Sequence, residues 1–158
     1  MAEMDGEARR REPDRKELGE TLLSLSARLY RLQTEAIDAS GVPLSFQQFR
    51  ILERVGGDVT SLSGLAELAK RRPSTISKSV DSLVRQGLLT REQAPSDRRT
   101  ITLTLTAFGA ATLRQAQRAL ADLGSWLVQD VEGDIPELRE LLKYLYERAE
   151  SRIQADAD

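Results

Sequence analysis

SLSGLAELAKRRPSTISKSVDSLVRQGLLTREQAPSDRRTITLTLT, residues 61–106, contains a change of hydrophobic period that decides the fold. Leu62, Leu65, Ala66 and Ala69 fall at i, i+3, i+4 and i+7, the buried stripe of a short helix. Lys70, Arg71 and Arg72 then make a basic turn. Pro73 suits a first helical position, where its missing N–H has no partner to lose, and a second helix runs from it to Gly87, a C-terminal cap. Ile76, Val80, Leu83 and Val84 are its inward residues. After Gly87 the period shortens to two. Ile101, Leu103 and Leu105 alternate with Thr102, Thr104 and Thr106, a half-buried strand whose hairpin partner is residues 88–94. The whole reads as a helix-turn-helix followed by a two-stranded wing.

The outer face of the second helix carries Ser74, Thr75, Ser77, Lys78 and Asp81, small hydroxyls and charges crowded into its first turns. Such a face enters a DNA major groove without steric obstruction, and its hydroxyls and Lys78 reach phosphates or base edges. Arg71 and Arg72 are expected on the phosphate backbone. Between the wing strands, Pro95-Ser96-Asp97-Arg98-Arg99 forms a polar tip in which Asp97 can brace Arg99, leaving Arg98 and Arg99 aimed at the minor groove. An isolated Asp–Arg surface pair contributes little, so it is the joint presence of hydroxyl-rich helix, basic turn and arginine tip that points to nucleic acid.

The chain has 158 residues, a net charge of −2, no His and no Cys. That length fits one domain, with no apolar run approaching the roughly 18 residues of a membrane span. No secretory signal pattern opens it, and without cysteine it has no disulfide framework, so a soluble cytoplasmic protein is expected. Its charge is unevenly divided. Residues 54–100 hold nine Lys/Arg against five Asp/Glu, a surplus of +4, whereas residues 1–53 carry −2 and residues 101–158 carry −4. Local field, rather than net charge, steers a binding surface. The missing His and Cys also remove the Ser-His-Asp and Cys-His catalytic sites and a structural zinc. Neither an enzyme nor a metal or other cofactor is expected.

Outside this module the sequence is helical. Residues 1–13 are charged and nearly devoid of apolar groups, which reads as a disordered tail, with a helix starting at Asp14. Through residues 14–40 Leu18, Leu22, Leu25, Leu29, Leu32 and Ala36 alternate at four and three, a coiled-coil-like seam. Gly41 and Pro43 end it, and Ser45-x-x-Gln48 is a capping box opening a helix with Phe46, Phe49, Leu52 and Val55 on its apolar face. Gly56 and Gly57 close that helix, and Val59 and Thr60 are expected as a short strand beside the wing. Thr106 caps a long helix carrying Leu113, Ala116, Leu120, Leu123 and Leu127; Asp134 and Pro136 start a last one with Leu138, Leu141, Leu142, Leu145 and Ala149 inward. The outer helices, residues 14–40 and 107–152, are too long and too apolar to be satisfied by the central module, residues 44–106. They are expected to interleave with those of a second copy, setting two recognition helices about 34–36 Å apart on a pseudo-palindromic site. The fold expected is mainly α with a small β-hairpin wing, a winged helix-turn-helix flanked by N- and C-terminal dimerisation helices.

The run STISKSVDSLVRQGLLTRE, the turn SDRR with Asp97 and Arg99 in D-x-R spacing, and the closing LT-x-x-G of Leu105, Thr106 and Gly109 resemble the multiple-antibiotic-resistance regulator (MarR) family of winged-helix transcription factors. The resemblance extends over residues 14–152. It implies a homodimeric regulator of double-stranded DNA, most often a repressor, released by a small aromatic or anionic effector bound between the dimerisation helices and the winged-helix lobe. That crevice is expected to draw its lining from the first, second and fifth helices, with Tyr30, Phe46, Phe49 and Arg50 as contacts and Arg50 pairing an effector carboxylate. Core packing for the two Phe residues and a surface ion pair for Arg50 are the plainer alternatives. The competing reading of the whole chain is a winged-helix protein-interaction module without specific DNA binding.

Overall fold

The structure is a computed structural model that describes residues 2–94 and 97–155, with side chains at 14–92, 101–153 and 155. Among the described residues the order is α1 (Ala2–Ala39), α2 (Phe46–Gly56), α3 (Leu62–Ala69), α4 (Pro73–Arg85), β1 (Leu89–Ala94), β2 (Asp97–Leu105), α5 (Ala107–Val128) and α6 (Ile135–Ala155). Helix α1 starts at Ala2, so the charged opening read from the sequence as a disordered tail is instead its first three turns. The Ala, Glu and Arg of that segment are strong helix formers, and the helix continues through Pro13 at the loss of one backbone hydrogen bond.

Local chemistry sets most of the element ends. Ser45 and Gln48 close both halves of a capping box at the start of α2. Ser61 accepts from the Gly64 N–H at the start of α3. At the end of α4 the Gly87 N–H donates to the Val84 carbonyl and the Leu88 N–H to the Leu83 carbonyl. This double closure requires a left-handed residue, which Gly87 supplies with φ of 70°. The turn after α3 closes the same way around Lys70, at φ of 47°, with the Arg71 N–H on the Ala66 carbonyl.

Strands β1 and β2 pair antiparallel with Leu89 opposite Leu105 and Arg91 opposite Leu103. The register shifts near the tip, where Gln93 faces Ile101 but Ala94 faces Asp97, so three residues of β2 fall between consecutive pairs. Val59 and Thr60 do not form the expected strand. Thr60 contributes a single bond, its carbonyl accepting from the Leu103 N–H at 2.8 Å, because Asp58 at φ of 74° turns the chain away from an extended path.

The core gathers Leu52 from α2, Leu65 from α3, Ile76, Val80 and Leu83 from α4, Leu88, and Leu103 from the wing, all 0–1% exposed. Helix α5 is tied to this lobe at its first turn. The Thr106 hydroxyl accepts from the Gly109 N–H at 2.8 Å and donates to the Gly87 carbonyl at 2.6 Å. A Cβ at Gly109 would lie 1.9 Å from the Leu88 carbonyl oxygen, so only glycine allows the approach. Beyond this contact the outer helices are sparsely covered. Leu18 and Leu25 of α1, Trp126 of α5 and Leu141, Leu142 and Tyr146 of α6 are all exposed. Helix α6 packs extensively on no other element among the described residues.

Gly109→Ala is expected to destabilise the fold by about 3 kcal/mol or more, the upper end of overpacking costs, because the clashing atom is backbone. Thr106→Ala should cost only about 1 kcal/mol for the lost cap. Urea denaturation of both variants checks the order; a Gly109→Ala protein as stable as the parent would mean α5 is not seated on Leu88.

Candidate nucleic-acid interface and the adjoining cavity

Because Ile76, Val80 and Leu83 are buried at i, i+4 and i+7, the opposite side of α4 is held outward. Ser74, Thr75 and Lys78 on α4 are exposed, as are Arg71 and Arg72 in the turn before it, while Ser77 is half-buried. These six residues therefore lie together at the N-terminal end of α4, five of them open to solvent. Asp97, Arg98 and Arg99 lie outside the described side chains; their backbone belongs to the wing end of β2.

Asp81 is not part of the open face. Arg91 stands opposite the buried Leu103, hence on the lobe side of β1, and its Nη1 reaches Asp81 Oδ1 at 2.9 Å. This pair braces the wing to α4. The period-two pattern that puts Arg91 in phase with Leu89 was a usable signal for it, but Asp81 alone gave no hint of its partner.

Beside the turn lies a cavity of about 190 Å³, on the scale of the ~150 Å³ cavities that accept a benzene ring. Tyr30 and Phe46 form an aromatic wall with ring centroids 5.4 Å apart and planes at 87°. Phe46, Arg50 and Arg54 line it along one stripe of α2, with Gln47 and Ile51 beside them, and Ala69, Arg71 and Ile76 complete it. Tyr30, Phe46 and Arg50 are thus brought together as anticipated. Phe49 is not with them: one residue from Arg50 it points about 100° away, stacks on Phe46 at 6.0 Å and is 2% exposed in the core. The expected fifth-helix contribution is also absent from this lining. Helix α5 meets α2 elsewhere, where Leu113 lies close to Gly56 at the far end.

Two of the three arginines are already engaged. Arg50 Nη1 pairs with Glu53 Oε2 at 2.8 Å, which is the plainer role anticipated for it. Arg54 Nη2 donates to the Leu68 carbonyl at 3.1 Å, closing the end of α3 and fixing the turn that carries Arg71. Burial holds the Arg54 guanidinium below its ordinary value; Arg50 adds to the effect and Glu53 opposes it. Arg54 remains a cation at neutral pH. Arg54 and Arg71 were missed as cavity residues because the relevant proximity spans α2 and the α3–α4 turn, far apart in sequence.

Comparison with known proteins agrees with this geometry. A MarR family model matches residues 40–100. An uncharacterised HTH-type transcriptional regulator of Bacillus subtilis, YhbI, is 26% identical over 135 residues, covering 83% of this chain and 88% of the relative. The transcriptional regulator BldR of Sulfolobus solfataricus superposes with a TM-score of 0.66 at 28% identity, over 87% of this chain and 98% of that one. Escherichia coli MarR, in a cysteine-to-serine variant complexed with operator DNA, gives a TM-score of 0.67 at 24% identity, over 81% of this chain and 92% of that one.

The Asp81–Arg91 brace is about one-third to two-fifths exposed on each side, so a double-mutant cycle with Asp81→Asn and Arg91→Gln is expected to give a coupling of under about 1 kcal/mol in stability. Thermal denaturation of the four proteins measures it. A coupling of zero would remove the brace.

Proposed function

We propose that the chain is a winged-helix transcriptional regulator of the MarR family, whose model it matches over residues 40–100, and that it acts as a homodimer on a pseudo-palindromic operator, repressing transcription until a small aromatic or anionic effector occupies the cavity beside α4. Members of the family are transcriptional regulators rather than enzymes. The observation that carries the proposal is the open N-terminal end of α4. Ser74, Thr75, Ser77 and Lys78 address the major groove from it, Arg71 and Arg72 take the phosphate backbone, and Arg98 and Arg99 reach the minor groove from the wing, with Asp97 steadying the tip. The E. coli relative bound to operator DNA supports this docking by analogy of fold. The site of action is the cytoplasm, with the DNA; among the described residues no helix is long and apolar enough to cross a membrane.

The case for two copies rests on uncovered apolar surface. Along α1, Leu18, Leu23 and Leu25 stand exposed. Leu141 and Leu142 of α6 are about half exposed, so covering each would contribute about 1 kcal/mol. In this arrangement α1, α5 and α6 form the dimerisation body. The cavity serves as effector site because Tyr30 and Phe46 give it an aromatic wall and Arg50, Arg54 and Arg71 share its lining, a combination suited to a planar carboxylate, with Phe49 stacked on Phe46. A ligand there shifts the dimer only through its differential affinity for the DNA-bound and free states.

In sedimentation the protein is expected at twice its 17.6 kDa chain mass, and Leu141→Glu with Leu142→Glu should yield monomers; a monomeric parent at micromolar concentration contradicts the dimer. Fluorescence anisotropy against genomic fragments at several salt concentrations should give tight, sequence-selective binding. Lys78→Ala and Arg99→Ala should each flatten the slope of log affinity against log salt by about 0.9. Weak binding that does not discriminate among fragments would favour an interaction module instead.

A further inference from the structure

Helix α3 has eight residues, and the carbonyls at its end need partners from beyond the helix. The Ala66 carbonyl accepts from the Arg71 N–H at 3.1 Å and the Glu67 carbonyl from the Lys70 N–H at 3.0 Å. The Leu68 carbonyl is closed from another element, by Arg54 Nη2 of α2 at 3.1 Å. Helix α3 has no basic residue in its own last turn, so Arg54 also brings the cation that the negative end of a helix favours. The bond is charge-assisted, and Arg54 is half-buried, which limits screening.

The turn held in this way is not a relaxed one. Lys70 sits at φ of 47°, a left-handed conformation unfavourable for a residue with a Cβ. Such a residue stays there only where its surroundings over-determine it. Arg71 and Arg72 follow directly, and the start of α4 at Arg72 has no side-chain cap of its own.

We propose that Arg54 is a positioning residue for DNA: without touching the duplex, it holds the α3–α4 turn in the conformation from which Arg71 and Arg72 meet phosphate. This rests on the DNA-binding reading given above and names a residue outside that interface which sets its affinity. With Arg54 in place the turn is ordered before DNA arrives. Without it the turn samples other conformations, and the observed affinity falls in proportion to the competent fraction. The contacts made in the complex stay the same.

The test is Arg54→Met in the full-length protein, which keeps an apolar stem and removes the donors. Anisotropy on a selected genomic fragment should show binding weakened about three- to tenfold, the loss when the competent fraction falls to roughly a third to a tenth. The slope of log affinity against log salt should keep the parent's value, because no phosphate contact is lost, whereas Arg71→Ala flattens it by about 0.9. At low salt, in a protein already carrying Arg71→Ala and Arg72→Ala, Arg54→Met should cost less than about twofold, since it acts through those two residues. Amide exchange followed by NMR should show the Lys70 and Arg71 N–H groups losing most of their protection in Arg54→Met, while the Gly109 N–H at the root of α5 keeps its own. Unchanged affinity in Arg54→Met overturns the proposal, as does an equal loss with and without Arg71 and Arg72. A slope flattened by about 0.9 overturns it too and makes Arg54 a phosphate contact. Unaltered exchange at Lys70 and Arg71 removes the tie whatever the DNA result, whereas a parent that binds DNA without selectivity removes the DNA-binding reading itself.

Discussion

The Thr106 hydroxyl holds together the two parts on which any action at a distance depends. It donates to the Gly87 carbonyl, where α4 has just ended, and accepts from the Gly109 N–H, where α5 has just begun. Gly109 is pressed so close to the Leu88 backbone that no side chain fits between. The end of α4, the start of the wing and the root of α5 are therefore one rigid joint. Movement of α5 carries α4 and β1 with it, and the Asp81–Arg91 pair adds a second tie between helix and wing.

From that joint the molecule divides by chemistry. The lobe between α2 and β2 holds most of the buried core residues and carries the cationic surplus. The outer helices carry the acidic surplus and leave Trp126, Leu141 and Tyr146 in solvent. In the proposed dimer a second copy would cover this surface, with the acidic surplus on the shared body and the cationic surplus on the proposed DNA-binding lobe. Within the lobe, Arg54 lines the cavity and holds the Leu68 carbonyl near the end of α3, and the turn that follows brings Arg71 into the same lining.

Much of this was legible in the sequence because it rests on local rules. The periods of α3 and α4, the switch to a two-residue period in β2, the capping box of Ser45 and Gln48 and the cap of Thr106 each depend on neighbours a few positions apart. What escaped is long-range or cooperative. The first three turns of α1 look too charged to fold until the helix after Pro13 is present to extend. Phe49 looked equivalent to Phe46 because both belong to one apolar face; a rotation of three residues around α2 separates core from cavity. Arg54 and Arg71 are 17 positions apart, and nothing local says that both line one space. The LT-x-x-G signature, by contrast, was readable as a pattern, and the 1.9 Å approach at Gly109 now gives its physical cause.

The most direct test of the account is hydroxyl-radical footprinting of the protein on a tightly bound genomic fragment. A two-fold pair of winged helices predicts two protected half-sites related by a pseudo-dyad, with centres about 10–10.5 base pairs apart or a multiple of that spacing. A single protected patch without two-fold symmetry, or protection spread evenly along the fragment, would contradict it.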